Sequence, residues 1–199
     1  MPAVVDHEHR RNHVARIAAG IIARIGIDAV TMRQVAAEAG FSTAIVTHYF
    51  ASKQDLLLHT YRTAAEDAQR RLALAQARDP RDLLGCLEAL LPRDEASRHG
   101  WRVFLAFWHT AVLDPLFAEE QASQALQARA LLRGVLEARA RTGLAPAHED
   151  LDGLAQHLLV IVIGVAVQAV FDPVTWSPEV IRKYLVTRLG EWCMQERTH

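Results

Sequence analysis

Apolar residues recur at helical spacing along nearly the whole chain. Val14, Ile17, Ala18, Ile21, Ile22 and Ile25 mark one face of a helix from about His9 to Ile25, closed by Gly26. Val35, Ala36 and Ala39 mark a second, which stops at Gly40, where left-handed backbone is cheapest. Thr31 and Gln34 stand at capping-box spacing, so this helix is predicted to begin near Met32. Ser42 is placed to cap a third helix, with Val46 and Phe50 apolar and Thr43, Ala44, Thr47 and His48 on the other side. A fourth is predicted from near Ser52 through Leu57, Tyr61 and Ala65 to about Ala77, broken by Asp79-Pro80. Five more follow at about 81–91, 95–113, 116–142, 148–171 and 178–196, separated by Pro92, Asp114-Pro115, Gly143 to Pro146, and Asp172-Pro173. No run carries a strand period or a hairpin dipeptide, and the expected fold is all-α.

The stretch TMRQVAAEAGFSTAIVTHYFASK, Thr31 to Lys53, reads as two short helices hinged at Gly40-Phe41, a shape that suits the major groove of DNA. On the exposed side of the second helix, Thr and His can bond base edges or phosphates and the Ala and Thr methyls can touch a thymine methyl. Tyr49 and Lys53 suit phosphate oxygens. Phe50 reads as a packing residue that pins this helix to the first.

These residues carry a family resemblance. GFSTAIVTHYFASKQDLL resembles the signature of the TetR/AcrR family of one-component transcriptional regulators, and STAIVTHYF is similar to its choline-responsive BetI-type branch. WRVFLAFWHTAVLD, Trp101 to Asp114, resembles that branch's C-terminal domain. The resemblance implies that Thr31 and Arg33 approach phosphate and base, that Thr43, Ala44, Ile45, Thr47 and His48 belong to the recognition helix, and that Tyr49 and Lys53 anchor phosphates. Ile45 replaces a small polar residue often found there, which leaves an apolar contact. It also implies a helix-turn-helix domain over 1–52, a helical effector-binding and dimerisation domain over 53–199, and repression relieved by a small molecule, choline-like or otherwise cationic.

Composition narrows the alternatives. A chain of 199 residues, 51% hydrophobic, can bury a substantial core. Its beginning, MPAVVDHEHRRNH, lacks the apolar region of a secretory signal, and the apolar run Leu158 to Phe171, interrupted by Gln168, falls short of the roughly 20 residues of a membrane span. A cytoplasmic location is expected. Cys86 and Cys193 lack metal-ligand spacing and are expected as thiols. Net charge is −1, but residues 1–62 hold seven Lys/Arg against five Asp/Glu, so the basic excess lies at the reader.

Leu158 to Val165 is apolar all round and must be covered on every side. A symmetry mate is expected to cover part of it, in a four-helix bundle built on Leu158, Ile161, Val162 and Val165 with Ile181, Leu185 and Leu189 of the last helix. Trp101, Phe104 and Trp108 form an aromatic stripe, with Phe117 and Trp176 beyond it; with Gln168 they are candidate effector contacts, since aromatic faces hold cations.

No phosphate loop, nucleophile elbow or HExxH spacing is present, so neither enzyme activity nor a cofactor or metal site is expected. Two rivals stay open. His7, His9 and His13 could serve a metal-sensing regulator, although a solvated arm that brings Arg10 and Arg11 to DNA is the simpler reading. An all-α interaction module would keep the dimer and discard the reader.

Overall fold

The computed structural model describes residues 3–143 and 150–190, with side chains from His7 onward. Among the described residues there are nine helices and no strands. They are α1 (Ala3–Ile25), α2 (Met32–Glu38), α3 (Thr43–Tyr49), α4 (Lys53–Arg78), α5 (Leu83–Leu90), α6 (Glu95–Ala111), α7 (Pro115–Ala140), α8 (Leu151–Phe171) and α9 (Pro178–Leu189). The expected extension of α9 to 196, and Cys193 with it, lies outside the described residues.

One boundary differs by almost two turns. α1 begins at Ala3, not at about His9. The segment DHEHRRNH has no apolar stripe to announce a helix, yet neither Gly nor Pro interrupts the chain between Ala3 and Gly20, so the helix runs on. His7, His9 and His13 are therefore helical residues, not an arm, and among the described residues no three metal-ligating side chains converge.

The chain forms two compact units. The first comprises 1–67 with 102–122, the second 68–101 with 123–199, and α4, α6 and α7 each give a segment to both. The packing thus groups the chain differently from a division at 52/53. Leu56, Leu57, Leu58 and Tyr61 of α4 are buried in the same core as Val14, Ile21, Ile22, Val35, Val46 and Phe50, and Val103, Phe107 and Phe117 complete it. Polar groups lock the edges: Arg24 donates two hydrogen bonds of 2.7 Å to the Glu38 carboxylate, joining α1 to α2.

In the second unit α5 packs on α9. Leu83 and Leu87 of α5, Leu132 and Leu136 of α7, and Ala155, Ala166 and Ala169 of α8 are buried. So are Leu158, Val162, Val165, Ile181, Leu185 and Leu189, which corrects the expectation that these six form the surface for a symmetry mate. Ile181 and Leu185 are 0% exposed and the other four between 1% and 7%, so little of these side chains is left to bury against another protomer. Ile161 is half-buried. By length and composition α8 meets the requirement for a membrane span, since Leu151 to His157 lengthen the helix beyond its apolar run to 21 residues.

Candidate nucleic-acid interface

Local hydrogen bonds fix the two reader helices. Thr31 Oγ1 accepts the Gln34 N–H at 3.2 Å, which caps α2. The capping box is only half formed, because Gln34 Oε1 takes the Thr31 hydroxyl at 3.3 Å instead of reaching a backbone N–H. At the other end Phe41 N–H donates to Ala36 C=O at 2.9 Å and Gly40 N–H to Ala37 C=O at 3.3 Å, the paired bonds of a Schellman turn, with Gly40 at φ +68°. Ser42 Oγ accepts the Ile45 N–H at 3.3 Å and starts α3. Val46 and Phe50 are wholly buried, so the opposite side of α3 must face outward.

That side carries the expected residues. Thr43, Ala44, Thr47 and His48 are exposed, as are Thr31 and Arg33, and Ile45 is 41% exposed. The Thr47 hydroxyl donates to the carbonyls of Thr43 and Ala44, both at 3.1 Å, and so presents lone pairs outward as an acceptor. Tyr49 is half-buried because His7 covers it: their ring centroids are 4.8 Å apart, and His7 also lies 5.9 Å from His48. Sequence periodicity gave no sign of His7, since the contact joins α1 to the end of α3 across more than 40 residues.

Lys53 is held in place. Ser52 Oγ accepts the Asp55 N–H at 3.0 Å while Asp55 accepts the Ala51 N–H at 3.1 Å, and these bonds begin α4. From its first turn Lys53 Nζ donates to the Asp28 carbonyl at 2.8 Å, leaving two ammonium protons for an anion. Arg11 lies over the Phe50 ring at 5.1 Å and 3.7 Å from Asp55, so it braces α1 against the α3–α4 corner. Next to it, His59 shares a 2.8 Å hydrogen bond with Asn12 Oδ1; burial first and Arg11 second lower its pKa from 6.5.

The aromatic candidates separate. Phe104, Trp108 and Phe117 belong to the first unit, where they gather around Tyr61. Tyr61 stacks on Phe107 at 3.8 Å and meets Phe104 edge-on at 5.5 Å; Phe107 in turn touches Phe117 at 4.7 Å. Trp108 Nε1 donates to the Tyr61 hydroxyl at 3.2 Å, and that hydroxyl donates to Gln121. Burial outweighs the Trp108 hydrogen bond and pushes the phenol up to about 12. Phe117 is buried packing, whereas Phe104 and Trp108 keep partly open surfaces. In the second unit Trp101 is buried, its indole donating to Leu90 C=O at 2.8 Å; Trp176 meets Tyr184 edge-on at 5.5 Å; and Gln168 is exposed on α8. The role of Tyr61 and Gln121 lay beyond sequence reading, because α4, α6 and α7 meet only in the folded unit.

Exposed apolar side chains of the second unit include Leu74, Leu126 and Val174, and two more lie on α8. Val160 and Phe171 are 58% and 76% exposed, and Gly164 and Gln168 fall between them at helical spacing. On α9 Val180 is exposed as well.

Comparison with known proteins agrees with this geometry. Residues 16–60 match the model of the tetR family of bacterial regulatory proteins, and residues 80–192 match that of the BetI-type transcriptional repressor C-terminal domain. The HTH-type transcriptional regulator PksA of Bacillus subtilis is 25% identical over 98% of this chain and 96% of its own length. The HTH-type transcriptional regulator BetI of Burkholderia cenocepacia is 34% identical over 61% of this chain, and the match spans 64% of that protein, short of two thirds. Among solved structures, a transcriptional regulator from Rhodococcus sp. RHA1 shares 26% identity, with a TM-score of 0.78 over 93% of this chain and 96% of that one. A regulator from Saccharomonospora viridis, solved in complex with choline, shares 24% identity and the same TM-score over 92% of this chain and 96% of that one. With a reader helix fixed by its own caps inside the first matched segment and a second matched domain following it, this chain belongs to the TetR family of helix-turn-helix transcriptional regulators and carries a BetI-type C-terminal domain.

Proposed function

We propose that this regulator acts as a homodimeric cytoplasmic repressor that sits on a palindromic operator and is released by a small cationic effector, working through binding and not catalysis. The observation that carries the DNA half is the division of α3 into a wholly buried side, Val46 and Phe50, and an exposed side bearing Thr43, Thr47 and His48. Thr43, Thr47 and His48 read base edges, Ala44 and Ile45 supply apolar contacts, and Thr31, Arg33, Tyr49 and Lys53 position the reader on phosphates. Two copies supply two reader helices, as an inverted repeat requires. The exposed stripe of Val160, Gly164, Gln168 and Phe171 is the surface we assign to the partner copy.

The effector half is supported by the half-buried Phe104, edge-on to the Tyr61 ring, and Trp108, bonded to the Tyr61 hydroxyl, and by the choline bound in the similar Saccharomonospora structure. Selection of bound duplexes from a random library tests the first half. Enrichment of an inverted repeat supports it; enrichment of nothing above background returns the chain to the interaction-module reading. Titration with choline, read by Trp fluorescence and by operator release, tests the second. Trp108→Ala is expected to abolish the fluorescence response while operator binding persists.

A further inference from the structure

α1 extends toward its N-terminus well beyond the part that is packed into the core. Among its described side chains the first to be buried is Val14, and those of His7, Glu8, His9 and Arg10 are exposed. The extension therefore adds little to the core of the first unit. What it adds is contact with neighbouring elements: Arg11 lies over the Phe50 ring, Asn12 bonds His59, and His7 reaches the end of α3.

Three rings meet there. His7 stands edge-on to Tyr49 at 4.8 Å and 68°, and to His48 at 5.9 Å and 76°. His48 and Tyr49 stand edge-on to each other at 5.6 Å and 62°. Packing of this kind favours one ring orientation over its alternatives, because the positive edge of one ring seeks the negative face of the next. Tyr49 is the last residue of α3, so no further turn of that helix covers its ring. The restraint on the phenol comes from His48 and, more closely, from His7 of α1. A side chain that must be immobilised on binding loses affinity to the entropy of ordering, and one already held in place does not.

We propose that His7 is a positioning residue for DNA binding: its ring, packed edge-on, holds the Tyr49 phenol in the orientation in which the hydroxyl meets a phosphate. The inference rests on the assignment of Tyr49 to the DNA backbone, and it gives α1 a part in the reader without requiring His7 to touch the duplex. The role calls for an aromatic ring at position 7 and for no proton or hydrogen bond from it. Because the contact it supports is to a phosphate, the effect falls on every DNA sequence alike.

The test is a double-variant cycle on the full-length protein, read by fluorescence anisotropy with a labelled random-sequence duplex at low salt. His7→Ala is expected to weaken binding by about three- to tenfold, the cost of ordering one side chain that is no longer held. His7→Phe should restore most of the loss, with the salt slope unchanged in both variants. Tyr49→Phe, which removes the hydroxyl and keeps the ring, should weaken binding on its own, and adding His7→Ala to it should cost nothing further. If Tyr49→Phe binds as the parent does, the assignment of Tyr49 to a phosphate falls and the inference with it. If Tyr49→Phe weakens binding but His7→Ala does not, or the two losses multiply in full, the inference alone falls. It falls as well if His7→Phe fails to rescue and the salt slope drops by about one, since His7 would then meet a phosphate itself as a cation.

Discussion

At the scale of single residues, contacts to DNA divide by what they read. Thr43→Ala and His48→Ala are expected to change which sequence is preferred, each costing about 1–3 kcal/mol against the best site. Lys53→Ala should weaken binding to every sequence and lower the salt slope by about one. Because Lys53 Nζ also holds the Asp28 carbonyl, that variant should lose a little stability too, which a melting curve will register. His59 sets a pH response. Its folded pKa is lowered by burial and by Arg11, so below 6.5 the unfolded chain takes up the proton more readily. The stability His59 confers is complete above that value and is lost as pH falls toward the folded pKa. The thermal midpoint should drop between about pH 7 and about pH 5, and less steeply in His59→Gln, whose amide can still bond Asn12.

At the scale of elements, α2 and α3 contain seven residues each, too short to persist without caps and a buried side. The Schellman turn at Gly40 does both jobs, closing α2 and aiming the chain into the Ser42 cap. Gly40→Ala places a Cβ in open space, so its cost is backbone strain alone, about 1–2 kcal/mol at φ +68°. A lower melting temperature with unchanged sequence preference among the molecules that remain folded is expected from paired melting and binding assays. Much of this was legible in order along the chain: the caps Thr31 and Ser42, the stop at Gly40 and the apolar positions Val35, Val46 and Phe50 all hold the places the pattern gave them. The start of α1 was not legible, because polar helices without a buried stripe leave no periodic signal.

At the scale of the whole molecule the open question is assembly. The face of α8 that carries Val160 and Phe171 is exposed in the protomer, so Phe171→Glu and Val160→Glu disturb little packing within it. If this face binds the partner copy, sedimentation will find both variants shifted to monomer, and each will lose affinity for an inverted repeat while keeping weak binding to a half-site. Variants that sediment as the parent does would place the interface elsewhere. α4, α6 and α7 run through both units, which makes them covalent routes by which a change at the aromatic cluster of the first unit can reach the second, to which α8 belongs.

What the sequence by itself determined is local: helix after helix from its 3.6-residue period, the reader from caps and a glycine a few residues apart, and the family from a motif contained within α2 to α4. Each of these depends on interactions between near neighbours. The tertiary structure decided which side of an all-apolar helix is core. Among the described residues Leu158, Val162 and Val165 are buried while Val160 and Phe171 are exposed, and a run that is apolar all round carries no mark of which side will be which. It likewise decided that His7 covers Tyr49 and that Tyr61 gathers the rings of α6 and α7. Such pairings join residues tens of positions apart, and only the packing of helices brings them together.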